Sequence, residues 1–138
     1  MNPQIAQAQD NIVRALAAAI REPWERIVVN YEIGESEGLE VEDRRGFYLA
    51  RNADGALRKG QWDWSPPLRA AFRALREAMA AGGGDRWGTA DLVVDPTGKY
   101  RFNFDYGPPR RINGVFDDTS MGRFDRYLEE YAANPAPL

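Results

Sequence analysis

The segment Tyr31–Asp43, YEIGESEGLEVED, carries six acidic side chains and no basic one within thirteen residues. Carboxylates at this density bind a divalent metal, face solvent, or recognise a basic partner. A calcium loop needs its ligands in a fixed order around a glycine turn, as in D-x-[DN]-x-[DN]-G, and this segment does not have that order. A metal site is therefore disfavoured, while a solvated face and a protein-binding surface both stay open.

The alternation of apolar and polar residues predicts on which face of the sheet each of these carboxylates lies. Apolar residues occupy every second position from Ile27 to Ile33, which predicts a half-buried strand with Glu32 on its outward face. Glu40 and Glu42 share one face of the next strand, and we expect Glu32 to join them across the hairpin. Such a patch steers a basic partner and raises its association rate. The acidic residues predicted to bind a partner are Glu32, Glu35, Glu37, Glu40, Glu42 and Asp43.

Two tryptophans form a second candidate contact. Trp62 and Trp64 lie two residues apart in QWDW, so an extended chain places them on one face. Packing in the core or at its rim is the usual role of such residues. If the pair is exposed, it is a good interface anchor, because tryptophan is over-represented among residues that dominate binding energies.

The residue inventory excludes several catalytic classes. The chain has no histidine and no cysteine, which removes Ser-His and Cys-His catalysis together with histidine- or thiolate-bound zinc. No cofactor or metal site is predicted. An alternative reading is a small carboxylate-dependent enzyme that uses Asp105 with Tyr106, at the end of the strand KYRFNFDY. The alternation of aromatic and polar residues explains this strand more simply as core, and we favour a binding module over an enzyme.

Charge and hydropathy limit the classes of molecule that the protein is expected to bind. A net charge of −3 and a pI near 5.1 provide no overall field for nucleic acid. No apolar run approaches the roughly twenty residues that cross a bilayer. The N-terminal run IVRALAAAI is short and follows three glutamines and Asp10, unlike a signal peptide. These features predict a cytoplasmic protein that binds neither nucleic acid nor membrane.

The elements that position these residues alternate between helical and extended patterns. Apolar residues spaced by three and four predict a first helix over 5–20, a second after the Ser65-Pro66 cap, and a last one beginning near Thr119 or Ser120. Tight turns between successive strands favour antiparallel pairing. The prediction is one α+β domain, 1–138, with a loose tail at 134–138. Its antiparallel sheet has about five to six strands with helices packed on one face, in the order α-βββ(β)-α-ββ(β)-α.

The order of several segments resembles a known family. EPWERIVVNYE follows the first helix, then come an Asp-Gly hairpin, a proline-started helix, RWGTADLVVDPTGKYRFNFDY and a final aromatic helix. Taken together, this looks like the YezG-like family of bacterial immunity proteins, the antitoxins of secreted polymorphic toxins. The resemblance spans residues 5–131 and rests on Trp24, Trp87 and GKYRFNFDY. The chain departs from the family in its last helix, which has Phe124 and Tyr127 where a tryptophan is expected, and in its acidic segment.

This resemblance implies inhibition by stoichiometric binding. An immunity protein of this family covers a toxin domain, often a nuclease, and so protects the producing cell. Nucleases hold phosphate in basic clefts, which an acidic surface complements. The other open reading, besides the enzyme, is an adaptor that forms homodimers through an exposed strand edge.

Overall fold

The computed structural model describes residues 2–138. Five strands carry the fold: β1 (Arg26–Ser36), β2 (Leu39–Arg51), β3 (Leu57–Gly60), β4 (Thr89–Val94) and β5 (Tyr100–Asp105). Two long helices are α1 (Pro3–Ala19) and α2 (Pro66–Ala80). The C-terminal part contains a π-helical turn (Asp118–Gly122), α3 (Arg123–Asp125) and α4 (Tyr127–Ala133). None of the helices within residues 2–138 is long and apolar enough to span a bilayer.

The strands form one sheet in the order β3-β2-β1-β4-β5, and every neighbouring pair is antiparallel. The α+β fold and the antiparallel sheet are therefore confirmed. β1 is the centre of the sheet because its sequence is the one most suited to burial. Its residues from Arg26 to Ile33 are all buried, so the prediction of a half-buried strand is wrong.

The first face of the sheet is covered by α1 and α2. Ile12 and Leu16 of α1 and Phe72 of α2 are completely buried against it. The Ser65 hydroxyl accepts a hydrogen bond from the Leu68 backbone N–H at 3.3 Å, as expected of an N-cap followed by proline. The aromatic side chains of β5 pack at the margin of this core.

The second face is covered in part by the C-terminal segment, which differs from the expectation that all helices pack on one face. Phe124 is buried against Val28, Phe47 and Leu49, which point away from α1 and α2. These apolar positions on the second face give the aromatic C-terminal helix its own place to bury. Residues 134–138 have no regular structure, although the carbonyl of Ala136 accepts a hydrogen bond from Arg26 at 2.6 Å.

Candidate protein-binding surface

The acidic segment forms the distal part of the β1–β2 hairpin. Its strands pair from Arg26 with Leu49 to Ser36 with Leu39. Glu37 and Gly38 make the two-residue turn with positive φ angles of 53° and 78°, which is the geometry of a type I′ turn. β4 pairs with β1 only as far as Glu32, and β3 pairs with β2 only from Tyr48 onwards. Residues 34–43 of the hairpin therefore have no third strand beside them in the part of the chain that the structure describes.

Glu32 does not face solvent, and the prediction that it joins Glu40 and Glu42 is wrong. It is 1% exposed and lies on the second face, opposite Asp43. The loop after β5 covers it: the backbone N–H groups of Arg111 and Ile112 donate to its carboxylate at 3.1 and 3.0 Å. The Arg111 guanidinium lies 3.3 Å from the same carboxylate. Glu32 is thus a structural anchor for the loop and is not available to a partner.

The same guanidinium holds Asp43. Arg111 Nε donates to Asp43 at 2.5 Å, while Nη1 donates to the Asn30 side chain at 2.7 Å and to the Ser120 carbonyl at 3.0 Å. The Arg111 side chain is 4% exposed, whereas that of Asp43 is 47% exposed. Asp43 therefore keeps part of its surface, but its charge is matched within the fold.

Glu42 lies on the first face, where two partners hold it. Arg73 of α2 donates to Glu42 at 2.8 Å, and the Tyr31 hydroxyl donates to its other oxygen. Burial, together with this bond to a carboxylate, raises the pKa of Tyr31 well above its usual range. The Glu42 side chain is only 17% exposed. A charge reversal at Glu42 would disturb the fold, so it is a poor probe of binding.

Three carboxylates remain available at the end of the hairpin. Glu35, Glu37 and Glu40 are exposed, and Glu40 has only a distant arginine, Arg76 of α2, at 3.8 Å. Within residues 2–138, neither Glu35 nor Glu37 forms an ion pair. Leu39 is 71% exposed, the most exposed large apolar side chain described, and strand alternation places it on the second face, opposite to that of Glu35 and Glu40. We call these four residues, Glu35, Glu37, Leu39 and Glu40, the acidic tip.

The loop between β5 and the π-helical turn braces the hairpin below this tip. Pro109 and Ile112 pack on Gly34, and a Cβ built at Gly34 would lie 2.9 Å from Pro109 Cγ. The glycine in the strand therefore permits the close approach of the loop. The same loop carries Val115 and Phe116, which are exposed. The hairpin is consequently supported on the second face by this loop and on the first face by the arginines of α2.

The tryptophans occupy different environments. Trp62 is 7% exposed and belongs to the core, so the structure does not present it as an interface anchor. Trp64 is half-buried, 5.2 Å from Trp62 between ring centroids, and the Arg44 guanidinium lies over its ring at 5.6 Å. Only Trp64 offers any surface. Core packing, the usual role, therefore accounts for Trp62.

Asp105 and Tyr106, the alternative catalytic pair, are both exposed. The Asp105 side chain accepts a hydrogen bond from the Gly107 backbone N–H at 2.8 Å, which stabilises the turn that ends β5. An exposed turn is not the deep pocket that a carboxylate catalyst needs. Across residues 2–138, no three carboxylates are grouped so as to hold a metal ion.

The arginines that neutralise half of the acidic segment were not predicted. Arg73, Arg76 and Arg111 are distant from the hairpin in sequence, and only the folded chain brings them to it. One signal was present: a single carboxylate in the apolar run of β1 needs a buried partner. Arg110, the neighbour of Arg111 in sequence, pairs instead with Asp117 at 3.1 Å.

No protein-family model and no curated protein sequence matches this chain. The fold and the surface together define an α+β domain whose central hairpin is held at its base and ends in an exposed acidic tip.

Proposed function

We propose that the protein is a bacterial immunity protein, which neutralises a cognate toxin domain in the cytoplasm of the producing cell by stoichiometric binding. The observation that carries the proposal is the acidic tip, where Glu35, Glu37 and Glu40 are exposed beyond the neighbouring strands. The segment order that resembles the YezG-like family supports the same function. The expected toxin is a nuclease with a basic substrate cleft.

Charge and shape favour this kind of partner. A nuclease concentrates lysine and arginine where it holds phosphate, so the acidic tip offers the opposite charge at the end of a narrow projection. Leu39 supplies an exposed apolar contact on the other face of the same tip, which a cleft that encloses the tip would remove from water. The braces from Arg111 and from α2 hold the hairpin before the partner arrives, which lowers the ordering cost of binding.

The first experiment is affinity capture of the tagged protein from its native lysate at low and moderate salt, with mass spectrometry of the bound material. We expect recovery of the C-terminal domain of a large secreted protein in a near one-to-one ratio. Repeated failure in cells shown to express that toxin class would contradict the proposal.

Charge reversal then tests the surface. The variant E35K/E37K/E40K changes the formal net charge from −3 to +3, because each of the three replacements changes it by two. We expect the association rate constant with the captured domain to fall by about tenfold or more at low ionic strength, and its salt dependence to weaken. Stability should change little, since these side chains are exposed and make at most one long ion pair.

The matched control is D54K/D63K/E129K, which makes the same change in net charge at exposed residues outside the hairpin. We expect its association rate to change by less than about threefold, because charges beyond a Debye length are screened. If both triple variants bind equally well, or lose binding equally, the acidic tip is not the recognition surface.

A further inference from the structure

β5 ends the sheet, and its sequence has an internal symmetry. It pairs with β4 on one side, and within residues 2–138 no strand pairs with its other side. From Tyr100 to Tyr106 the chain reads Tyr-Arg-Phe-Asn-Phe-Asp-Tyr, which is symmetric in residue class about Asn103, with a cation and an anion at matching positions. We propose that β5 pairs antiparallel with β5 of a second copy of this chain, about a two-fold axis at Asn103, to form a ten-stranded sheet.

The backbone N–H and C=O groups of β5 point in the directions that this register requires. Asp95 N donates to the Lys99 carbonyl at 2.9 Å, so these residues form a hydrogen-bonded pair of the β4–β5 ladder. By alternation Arg101, Asn103 and Asp105 also turn their N–H and C=O groups towards β4. The backbone groups of Phe102 and Phe104 therefore point to the free edge. In the proposed register Phe102 faces Phe104 of the partner subunit, and the two residues exchange both hydrogen bonds.

The side chains on the second face are complementary in the same register. Arg101 lies opposite Asp105 of the partner subunit, and the two-fold axis creates this pair twice. Both side chains are exposed, and in the described chain neither forms an ion pair. Exposed charges ordinarily protect an edge strand from pairing. In the symmetric register, however, the opposite charges of Arg101 and Asp105 attract one another across the interface.

The first face supplies apolar contact. Phe102 and Phe104 are stacked with ring centroids 5.5 Å apart, and both are only half-buried. Tyr106 is 53% exposed. Across the two-fold axis Phe102 would lie beside Phe104 of the partner subunit, and Tyr100 would lie beside Tyr106 of the partner subunit. Cross-strand aromatic pairs of this kind stabilise antiparallel sheets, and the contact would remove apolar surface from water.

This interface is separate from the acidic tip. β5 lies two strands from β1 in the sheet, while the tip extends from the end of the β1–β2 hairpin. A dimer through β5 therefore leaves both acidic tips available. The inference does not rest on the proposed function, and either one can fail alone.

The test uses sedimentation equilibrium of the full chain from micromolar to millimolar concentration. The variant R101D places two aspartates opposite each other at both ends of the interface. The variant D105R places two arginines opposite each other at the same two positions. We expect each variant to raise the dimer dissociation constant by about tenfold or more, because two pairs change from attraction to repulsion. The double variant R101D/D105R restores opposite charges in the same register, and we expect its dissociation constant within about threefold of the parent value.

The control is R21D, which makes the same charge change at an exposed residue outside the sheet and should leave the dimer unchanged. Thermal unfolding of every variant checks that each one folds, since D105R also removes the acceptor for Gly107. A parent chain that stays monomeric throughout would overturn the proposal, including the case in which β5 pairs instead with a strand of the toxin. A dimer that R101D does not weaken, or that the double variant does not restore, would also overturn it.

Discussion

Arg111→Met tests whether the buried ion network holds the hairpin and the covering loop together. Methionine keeps most of the length of the side chain but removes the guanidinium. The variant loses the bonds to Asp43 at 2.5 Å, to Asn30 at 2.7 Å and to the Ser120 carbonyl at 3.0 Å, and the contact with Glu32 at 3.3 Å. Glu32, which is 1% exposed, is left as a buried carboxylate without a cation.

The expected loss follows from the contacts that remain. Removing one partner of a buried ion pair costs about 3–5 kcal/mol. Glu32 keeps its two backbone donors, from Arg111 N and Ile112 N, so we expect a loss near the lower end, about 3 kcal/mol. That is a large fraction of the roughly 5–15 kcal/mol that stabilises an ordinary domain. Glu32→Gln removes the charge but turns an amide NH2 towards one of the two backbone donors, so it also costs stability on its own. Because both changes break the same ion pair, the double variant should lose about 1–2 kcal/mol less than the sum of the two single losses.

Urea unfolding followed by tryptophan fluorescence measures these differences, with the denaturant slope checked for constancy across the variants. Arg110→Met is the matched control, because Arg110 lies next in sequence and pairs at 3.1 Å with the exposed residue Asp117. We expect that control to cost less than about 1 kcal/mol. The reasoning is refuted if the Arg110 and Arg111 variants lose equal stability, or if the losses from Glu32→Gln and Arg111→Met add fully in the double variant.

Two further predictions concern packing and pH. Gly46→Ala should lower stability by about 1–3 kcal/mol in the same assay, because a Cβ there would lie 2.6 Å from the Trp62 ring, while Gly82→Ala, with open space around it, should change little. Hydrogen bonds from the Thr97 hydroxyl and backbone N–H hold the pKa of Asp95 below its usual range. Its ionised form therefore stabilises the fold fully above the usual carboxyl pKa of about 4, and this contribution is lost as pH falls through the lowered value. The stability difference between the parent and Asp95→Ala should shrink over that acidic range, and a difference that stays constant to pH 2 would contradict the assignment.

Local sequence signals predicted most of the architecture. The Ser65-Pro66 cap, the alternation in β5 and the short turns between strands each depend on neighbouring residues, and they led to the correct fold class. The C-terminal helix was placed on the wrong side of the sheet. Its aromatic stripe shows that it buries a face, but the choice of face depends on Val28, Phe47 and Leu49, which are distant in sequence.

The candidate site was harder to predict, because charge neutralisation is a tertiary property. Alternation placed Glu32 opposite the core residues of β1, which is correct, but a sheet has two faces and the second one is covered here by the loop after β5. Burial of Trp62 likewise depends on the packing of QWDW over Gly46. The sequence pattern predicted which residues share a face of each strand, but it did not predict which face is exposed to solvent.

The acidic segment combines two kinds of carboxylate, and the division explains how it can serve recognition. Two arginines hold three of these carboxylates at the base of the hairpin: Arg111 contacts Glu32 and Asp43, and Arg73 contacts Glu42. Beyond this base, at the tip, the only ion pair described for the glutamates is the 3.8 Å contact between Glu40 and Arg76. A flexible acidic loop would attract a basic partner equally well at long range but would lose more conformational freedom on binding. Weakening the base with Arg111→Met while keeping the tip intact should therefore lower affinity for the partner mainly through faster dissociation, whereas reversing the tip charges should act mainly on association.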